Sequence, residues 1–165
     1  YQSIEKLDAA HYLMINADKK ISIQKYWDIQ THLKPFEGTI EQAAELFLQL
    51  FTDSIRLRLR SDVAVGSSLS GGLDSSSIVM LIDALKGNEI KQNTFSARFK
   101  NFSKDEGEHI EEVVKACKNV NVHYTWPDKD YFEESFEKVT YHQDEPFGSA
   151  SIVAQYSVME LAKKK

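Results

Sequence analysis

From residue 63 onward, short β-type runs alternate with helical stretches of ten or more residues, and this alternation admits few folds. Val63-Ala64-Val65 reads as a buried strand, Asn93-Thr94-Phe95-Ser96-Ala97 as a second and Val120 to Thr125 as a third. Between and after them, helical periodicity runs from Ser75 to a C′ glycine at Gly87, from Asp105 to Lys118, from Asp128 to Tyr141 and from Ser151 to Lys165. Strands separated by helices imply a parallel sheet with helices on both faces. In such α/β sheets ligands sit beyond the carboxyl ends of the strands.

The first 62 residues are organised differently. Tyr12-Leu13-Met14-Ile15 and Ile21-Ser22-Ile23 flank the polar turn Asn16-Ala17-Asp18-Lys19-Lys20, which is a hairpin signal. A two-stranded hairpin is marginal alone, so residues 1–27 read as a β-hairpin remnant of a neighbouring sheet. Residues 28–38, with Pro35 and Gly38, read as a linker, and 39–165 as the α/β domain. Thr39 with Gln42 forms a capping-box pattern. Ile40, Ala43, Ala44, Phe47, Leu50, Phe51 and Ile55 then mark one face of a helix ending near Arg60.

The segment that carries chemistry is Ser70-Gly71-Gly72-Leu73-Asp74-Ser75-Ser76, between a strand and a helix. Adjacent glycines let backbone N–H groups approach a phosphate without a Cβ in the way. The serine hydroxyls add donors, and the helix that follows turns its positive end to the same spot. Asp74 is an acid in a place built for anions, which makes sense if it ligates Mg²⁺. Other phosphate loops fit less well: Gly66 and Gly71 begin a Walker pattern, but Gly72 stands where its lysine should be. The spaced glycines of dinucleotide folds are absent, and Gly66-Ser67-Ser68-Leu69-Ser70 fails the nucleophile-elbow pattern.

Composition narrows the partners. A net charge of −5 argues against a broad nucleic-acid surface, the basic runs being confined to Arg56–Arg60 and Lys163–Lys165. No stretch approaches the ~18 apolar residues of a membrane span. The one cysteine, Cys117, rules out an internal disulfide and a zinc cluster, and lies on the apolar face Ile110, Val113, Val114. That composition suits a reducing cytoplasm. His11, His32, His109, His123 and His142 show no metal-type pairing. Asp105-Glu106 is read as a helix-start pair, with a role near the nucleotide as the alternative, and Trp126-Pro127 and Tyr131-Phe132 as core and helix-start residues.

Ser70-Gly71-Gly72-Leu73-Asp74-Ser75 resembles the pyrophosphate loop of the N-type ATP pyrophosphatases, a superfamily with an adenine nucleotide alpha-hydrolase-like fold. Its neighbours resemble glutamine-dependent asparagine synthetases: Leu57 to Val63 before the loop, Thr94-Phe95-Ser96 after it, and Asp144-Glu145-Pro146-Phe147 further on. Lys25-Tyr26-Trp27 resembles the junction where a glutaminase domain hands over to the synthetase domain, which makes the hairpin the last piece of that glutaminase sheet.

The resemblance implies that ATP is held by Ser68, Leu69, Ser70, Gly71, Gly72, Leu73, Asp74, Ser75 and Ser76. It implies further that Ala97 lies against the adenine, that Asp74 is a Mg²⁺ ligand, and that Asp144 and Glu145 are candidates to line the site. It implies small-molecule substrates (aspartate, ATP, and ammonia supplied from glutamine by a separate domain), no nucleic-acid or membrane partner, and a homodimer of the full-length enzyme. The family's catalytic cysteine and its second glycine-rich acidic loop are expected outside these 165 residues, so the chain alone is expected to be inactive. A β-lactam synthetase-like enzyme acting on another carboxylate, or an ATP-binding module without turnover, are the alternatives.

Overall fold

A computed structural model describes residues 2–86, 91–100, 102–103 and 105–165. The C′ glycine expected at Gly87 lies outside them. The chain divides into two compact units, residues 1–45 and Leu46–Lys165. No helix among the described residues is long and apolar enough to cross a membrane.

The first unit holds the hairpin. β1 (His11–Ile15) and β2 (Ile21–Lys25) pair antiparallel with Leu13 opposite Ile23. Asn16 ties the turn, its side-chain oxygen accepting from the Lys20 backbone at 2.8 Å. Residues 28–38 contain an element the linker reading lacks: α1 (Ile29–His32), capped by Asp28, which accepts from the Gln30 backbone N–H. A single turn leaves no periodicity to read, so the cap is its one sequence signal.

Helix α2 (Ile40–Arg58) starts at the predicted capping box: the Thr39 N–H donates to Gln42 Oε1 at 2.9 Å, and the Gln42 N–H to Thr39 Oγ1 at 3.4 Å. Of its apolar face only Ile55 is buried.

The second unit contains a three-stranded parallel sheet in the order β3 (Gly66–Ser68), β4 (Gln92–Ala97), β5 (Val120–Thr125). Helices α3 (Leu73–Lys86), α4 (Gly107–Ala116), α5 (Lys129–Gln143) and α6 (Ser151–Lys163) flank it. The expected α/β class therefore holds.

One strand differs from its prediction. Val63-Ala64-Val65 lies outside the sheet, Val63 being 76% exposed, and the strand is the polar run Gly66-Ser67-Ser68. Register decides this: Gly66, Ser67 and Ser68 pair with Asn93, Thr94 and Phe95. A Cβ on Gly66 would stand 2.6 Å from the Phe95 ring, so the ring packs where no side chain intervenes. Glycine and serine have poor β propensity, which hid the strand from a periodicity argument.

The core is built on Leu69, Val79 and Ile110, with Val113, Val114, Cys117, Val120 and Tyr124 packed around it. The apolar face predicted for Cys117 thus lies against this core. Helices α5 and α6 are joined by polar contacts: Tyr131 donates to Glu160 Oε2 at 2.8 Å, Lys138 lies 3.4 Å from Glu160 Oε1, and the Lys138 ammonium sits 5.4 Å above the Tyr156 ring.

Burial, followed by the bond to Glu160, pushes the Tyr131 hydroxyl up to about 12. Because the folded value lies above the unfolded one near 10, this contribution to stability is complete below pH ~10 and disappears as pH rises through about 12. Tyr131→Phe is expected to destabilise the protein by about 1 kcal/mol in denaturant unfolding at pH 7, since Glu160 keeps Lys138 and partial solvent access.

Candidate active site

The loop between β3 and α3 is fixed from its first residue. Leu69 is 1% exposed and extends the β3–β4 pairing, its N–H donating to Phe95 O at 3.0 Å. Its carbonyl accepts the buried Ser96 hydroxyl at 2.5 Å. The Leu69 side chain reaches the core while its backbone opens the loop.

After Leu69 the loop is organised by its own polar groups. The Ser70 N–H donates to Ser75 Oγ at 3.2 Å, and the two hydroxyls lie 3.0 Å apart. The Gly72 N–H donates to Ser70 Oγ at 3.3 Å. The Gly72 carbonyl receives both the Ser75 hydroxyl, at 3.1 Å, and the Ser76 N–H, at 3.0 Å, which closes the first turn of α3. Leu73, Asp74 and Ser75 are the first helical residues, so their N–H groups have no acceptor within the helix.

Gly71 has φ +87°, a region side chains resist, and a Cβ there would stand 3.0 Å from the Glu106 carbonyl oxygen and 3.1 Å from His109 Cβ. Glycine at this position is a backbone and packing requirement together.

A cavity of about 290 Å³ opens at the carboxyl ends of β3 and β4. It brings together Ser68, Leu69, Ser70 and Ala97, four of the residues singled out from sequence. Gly71, Gly72, Leu73, Asp74 and Ser75 continue from it into α3; Leu73 is 83% exposed, and Asp74 is the acid of the first turn. Among the described residues the buried Ser76 hydroxyl has no hydrogen-bond partner, and it is not one of the lining groups. Asp144 and Glu145 do not line the cavity either: Asp144 is the left-handed C-cap of α5 at φ 57°, and Glu145 follows it.

Sequence reasoning missed Phe99 at the mouth and the α6 wall of Ala154, Gln155 and Val158. Nothing in the apolar rhythm of α6 distinguishes a cavity wall from core. Glu106 also lines the cavity, and it lies in the pair read as a helix start.

That pair is divided by the structure. Glu106 is the N-cap of α4 but makes no side-chain capping bond. Asp105 accepts from the Phe99 N–H at 2.8 Å, the Gly107 N–H at 3.3 Å and the Arg98 guanidinium at 2.8 Å. The Arg98 hydrogen bond, followed in effect by burial in the opposite sense, leaves the Asp105 carboxyl below the usual carboxylate range. Trp126, expected in the core, is 45% exposed and faces that guanidinium at 5.2 Å.

The architecture is thus an α/β protein in which a strand-to-helix glycine loop opens on a cavity at the carboxyl edge of a parallel sheet. Residues 46–165 match the family model for asparagine synthase. A Methanocaldococcus jannaschii protein with the name "Putative asparagine synthetase (glutamine-hydrolyzing) 2" is 37% identical over 166 residues, covering 99% of this chain and 31% of its own length. Asparagine synthetase (glutamine-hydrolyzing) 1 of Bacillus subtilis is 28% identical over 161 residues, covering 98% of this chain and 24% of its own. Amidase chry2 of Gibberella zeae is 24% identical over 173 residues, covering 97% and 26%. The chain belongs to the asparagine synthase family. It spans between about a quarter and a third of the length of these curated relatives.

Two outcomes follow from the loop and its support. Gly71→Ala is expected to cost about 2 kcal/mol, from the left-handed backbone and the contact with Glu106 O together, measurable by chemical unfolding. For Asp105 the folded carboxyl titrates below the unfolded one near 4. Its contribution is therefore present above pH ~4 and lost as pH falls through the depressed value, so Asp105→Asn should flatten the acid limb of the stability–pH curve.

Proposed function

We propose that the protein to which this chain belongs amidates aspartate to asparagine at the expense of ATP, with ammonia supplied from glutamine by a separate domain. The observation that carries this reading is the Ser70–Ser75 loop at the carboxyl edge of a parallel sheet, in a chain whose relatives are named asparagine synthetases.

In this reading the adenine lies toward Ala97 and the end of β4, and the triphosphate toward Ser70 and the start of α3. The N–H groups of Leu73, Asp74 and Ser75 point out of the helix start, where the macrodipole favours negative charge. The Ser70 and Ser75 hydroxyls hold the loop in shape and can turn a donor to a phosphate oxygen. The aspartate side-chain carboxylate attacks the α-phosphorus. The bond to the bridging α–β oxygen breaks, giving β-aspartyl-AMP and pyrophosphate. Ammonia then displaces AMP at the acyl carbon, leaving asparagine. The helix start serves this chemistry because charge accumulates on the departing pyrophosphate, next to preorganised donors.

Mg²⁺ fits the donor set. Among the described residues no group of three or more His, Cys, Asp or Glu side chains is placed to hold a metal ion by itself. A magnesium ion carried by a nucleotide needs only one or two carboxylates beside the phosphates, and Asp74 supplies one. Bound there, the ion offsets phosphate charge.

The match to an amidase favours keeping a second reading, a sister enzyme acting on another carboxylate. Pyrophosphate release by the full-length protein with Mg-ATP and ammonia separates the two. Release that depends on aspartate and yields asparagine supports the first, release with a different carboxylate the second, and none with any carboxylate makes the chain a nucleotide-binding module. Asp74→Ala is expected to lower kcat/KM for Mg-ATP by about a hundredfold or more. Wild-type activity in that variant would remove Asp74 from the site.

A further inference from the structure

One compact cluster ties the end of β4 to the start of α4. Arg98 directly follows β4, and its side chain and that of Asp105 are each 16% exposed. Asp105 takes Arg98 Nε on both oxygens, at 2.9 and 3.1 Å, and Nη2 at 2.8 Å, while also receiving two backbone N–H groups. The guanidinium carbon lies 5.5 Å from the Tyr124 ring centre and 5.2 Å from that of Trp126. A side chain on Gly107 would run into the guanidinium, so Arg98 packs directly on the backbone at the start of α4.

Between this clasp and the glycine loop stands Glu106. Its carbonyl oxygen and Cβ lie 3.0 and 3.2 Å from the position a Cβ on Gly71 would take. Glycine adopts positive and negative φ about equally readily. At the φ of +87° that Gly71 adopts, Glu106 and His109 approach its backbone closely enough to leave no room for a Cβ.

We propose that the Arg98–Asp105 clasp is a positioning device for the glycine loop: by tying the end of β4 to the start of α4 it seats Glu106 and His109 against Gly71 and holds the loop's N–H groups ready for phosphate. The phosphate part rests on the reading of the loop given above. Neither Arg98 nor Asp105 lines the cavity, so the pair acts through the backbone it fixes.

Two measurements on the full-length protein test it. The first is amide hydrogen exchange without nucleotide at Ser70, Gly72 and Ser76, whose N–H groups donate to Ser75 Oγ, Ser70 Oγ and the Gly72 carbonyl. The wild type is compared with Arg98→Lys, which keeps the charge but loses the planar fork. Exchange at these three amides is expected to quicken about tenfold while the core around Val79 and Ile110 stays protected; unchanged protection there would overturn the proposal. The second is the Kd for Mg-ATP in Asp105→Asn, alone and combined with Gly71→Ala. Asp105→Asn is expected to raise Kd about tenfold, equal to about 1.4 kcal/mol, and by less than about threefold in the Gly71→Ala background, because both changes act on one element. The same loss in both backgrounds would overturn the link to Gly71. If the wild type binds no Mg-ATP while exchange at Ser70, Gly72 and Ser76 responds to Arg98→Lys, the clasp stands and the nucleotide reading falls.

Discussion

Leu69 joins the sheet, the core and the loop. Its N–H continues the β3–β4 ladder, its carbonyl receives Ser96, and its side chain fills the core with Val79 and Ile110. The following residue already belongs to the loop. A loop of glycines and serines has little backbone stiffness of its own, so its internal hydrogen bonds form on anchors set where Leu69 leaves the sheet, where α3 begins and where Glu106 meets Gly71. Val79 lies on α3 and Ile110 on α4, so the residue that starts the loop also packs against the helix that ends it and the helix that backs it.

The order of strands follows from the same constraint. β4 lies between β3 and β5, with Phe95 opposite both Ser68 and His123 and stacked on the His123 ring at 5.1 Å. The cavity forms where β3 and β4 end together, because Ser68 and Ala97 are close in register and the chain departs from both toward helices. Extending β3 back to Val63 would add apolar content without moving that edge.

What was legible in the sequence follows the kind of signal each element carries. The α/β class, the hairpin, the capping box at Thr39 and the span of β5 all rest on periodicity or local capping chemistry, and they appear as read. β3 escaped because its residues are chosen for what they leave open: Gly66 makes room for the Phe95 ring, and Ser67 is the acceptor of Gln92. The loop itself was legible because paired glycines beside an acid are informative at short range. The α6 wall and the clasp were not, since they join residues whose proximity depends on the folded sheet. Asp105 illustrates the limit: an acid before a helix reads as a dipole partner, and only the fold reveals that Arg98 and the Phe99 N–H share it.

The side chains of β4 are unusually polar for a central strand. A central parallel strand ordinarily reads as an apolar run, yet Gln92, Thr94 and Ser96 are fully buried along one face. Ser96 is satisfied by Leu69, and Gln92 donates to Ser67, while Gln92 Oε1 and Thr94 Oγ1 find no partner among the described residues. An unsatisfied buried polar atom costs on the order of 1–3 kcal/mol, so this face contributes less than valine or isoleucine would. The strand is held by ladders on both sides and by the Phe95 ring on its other face. Ser96 is the exception that explains the pattern. At that position a β-branched hydrocarbon would have left the Leu69 carbonyl, and with it the entrance to the loop, without the hydroxyl it accepts.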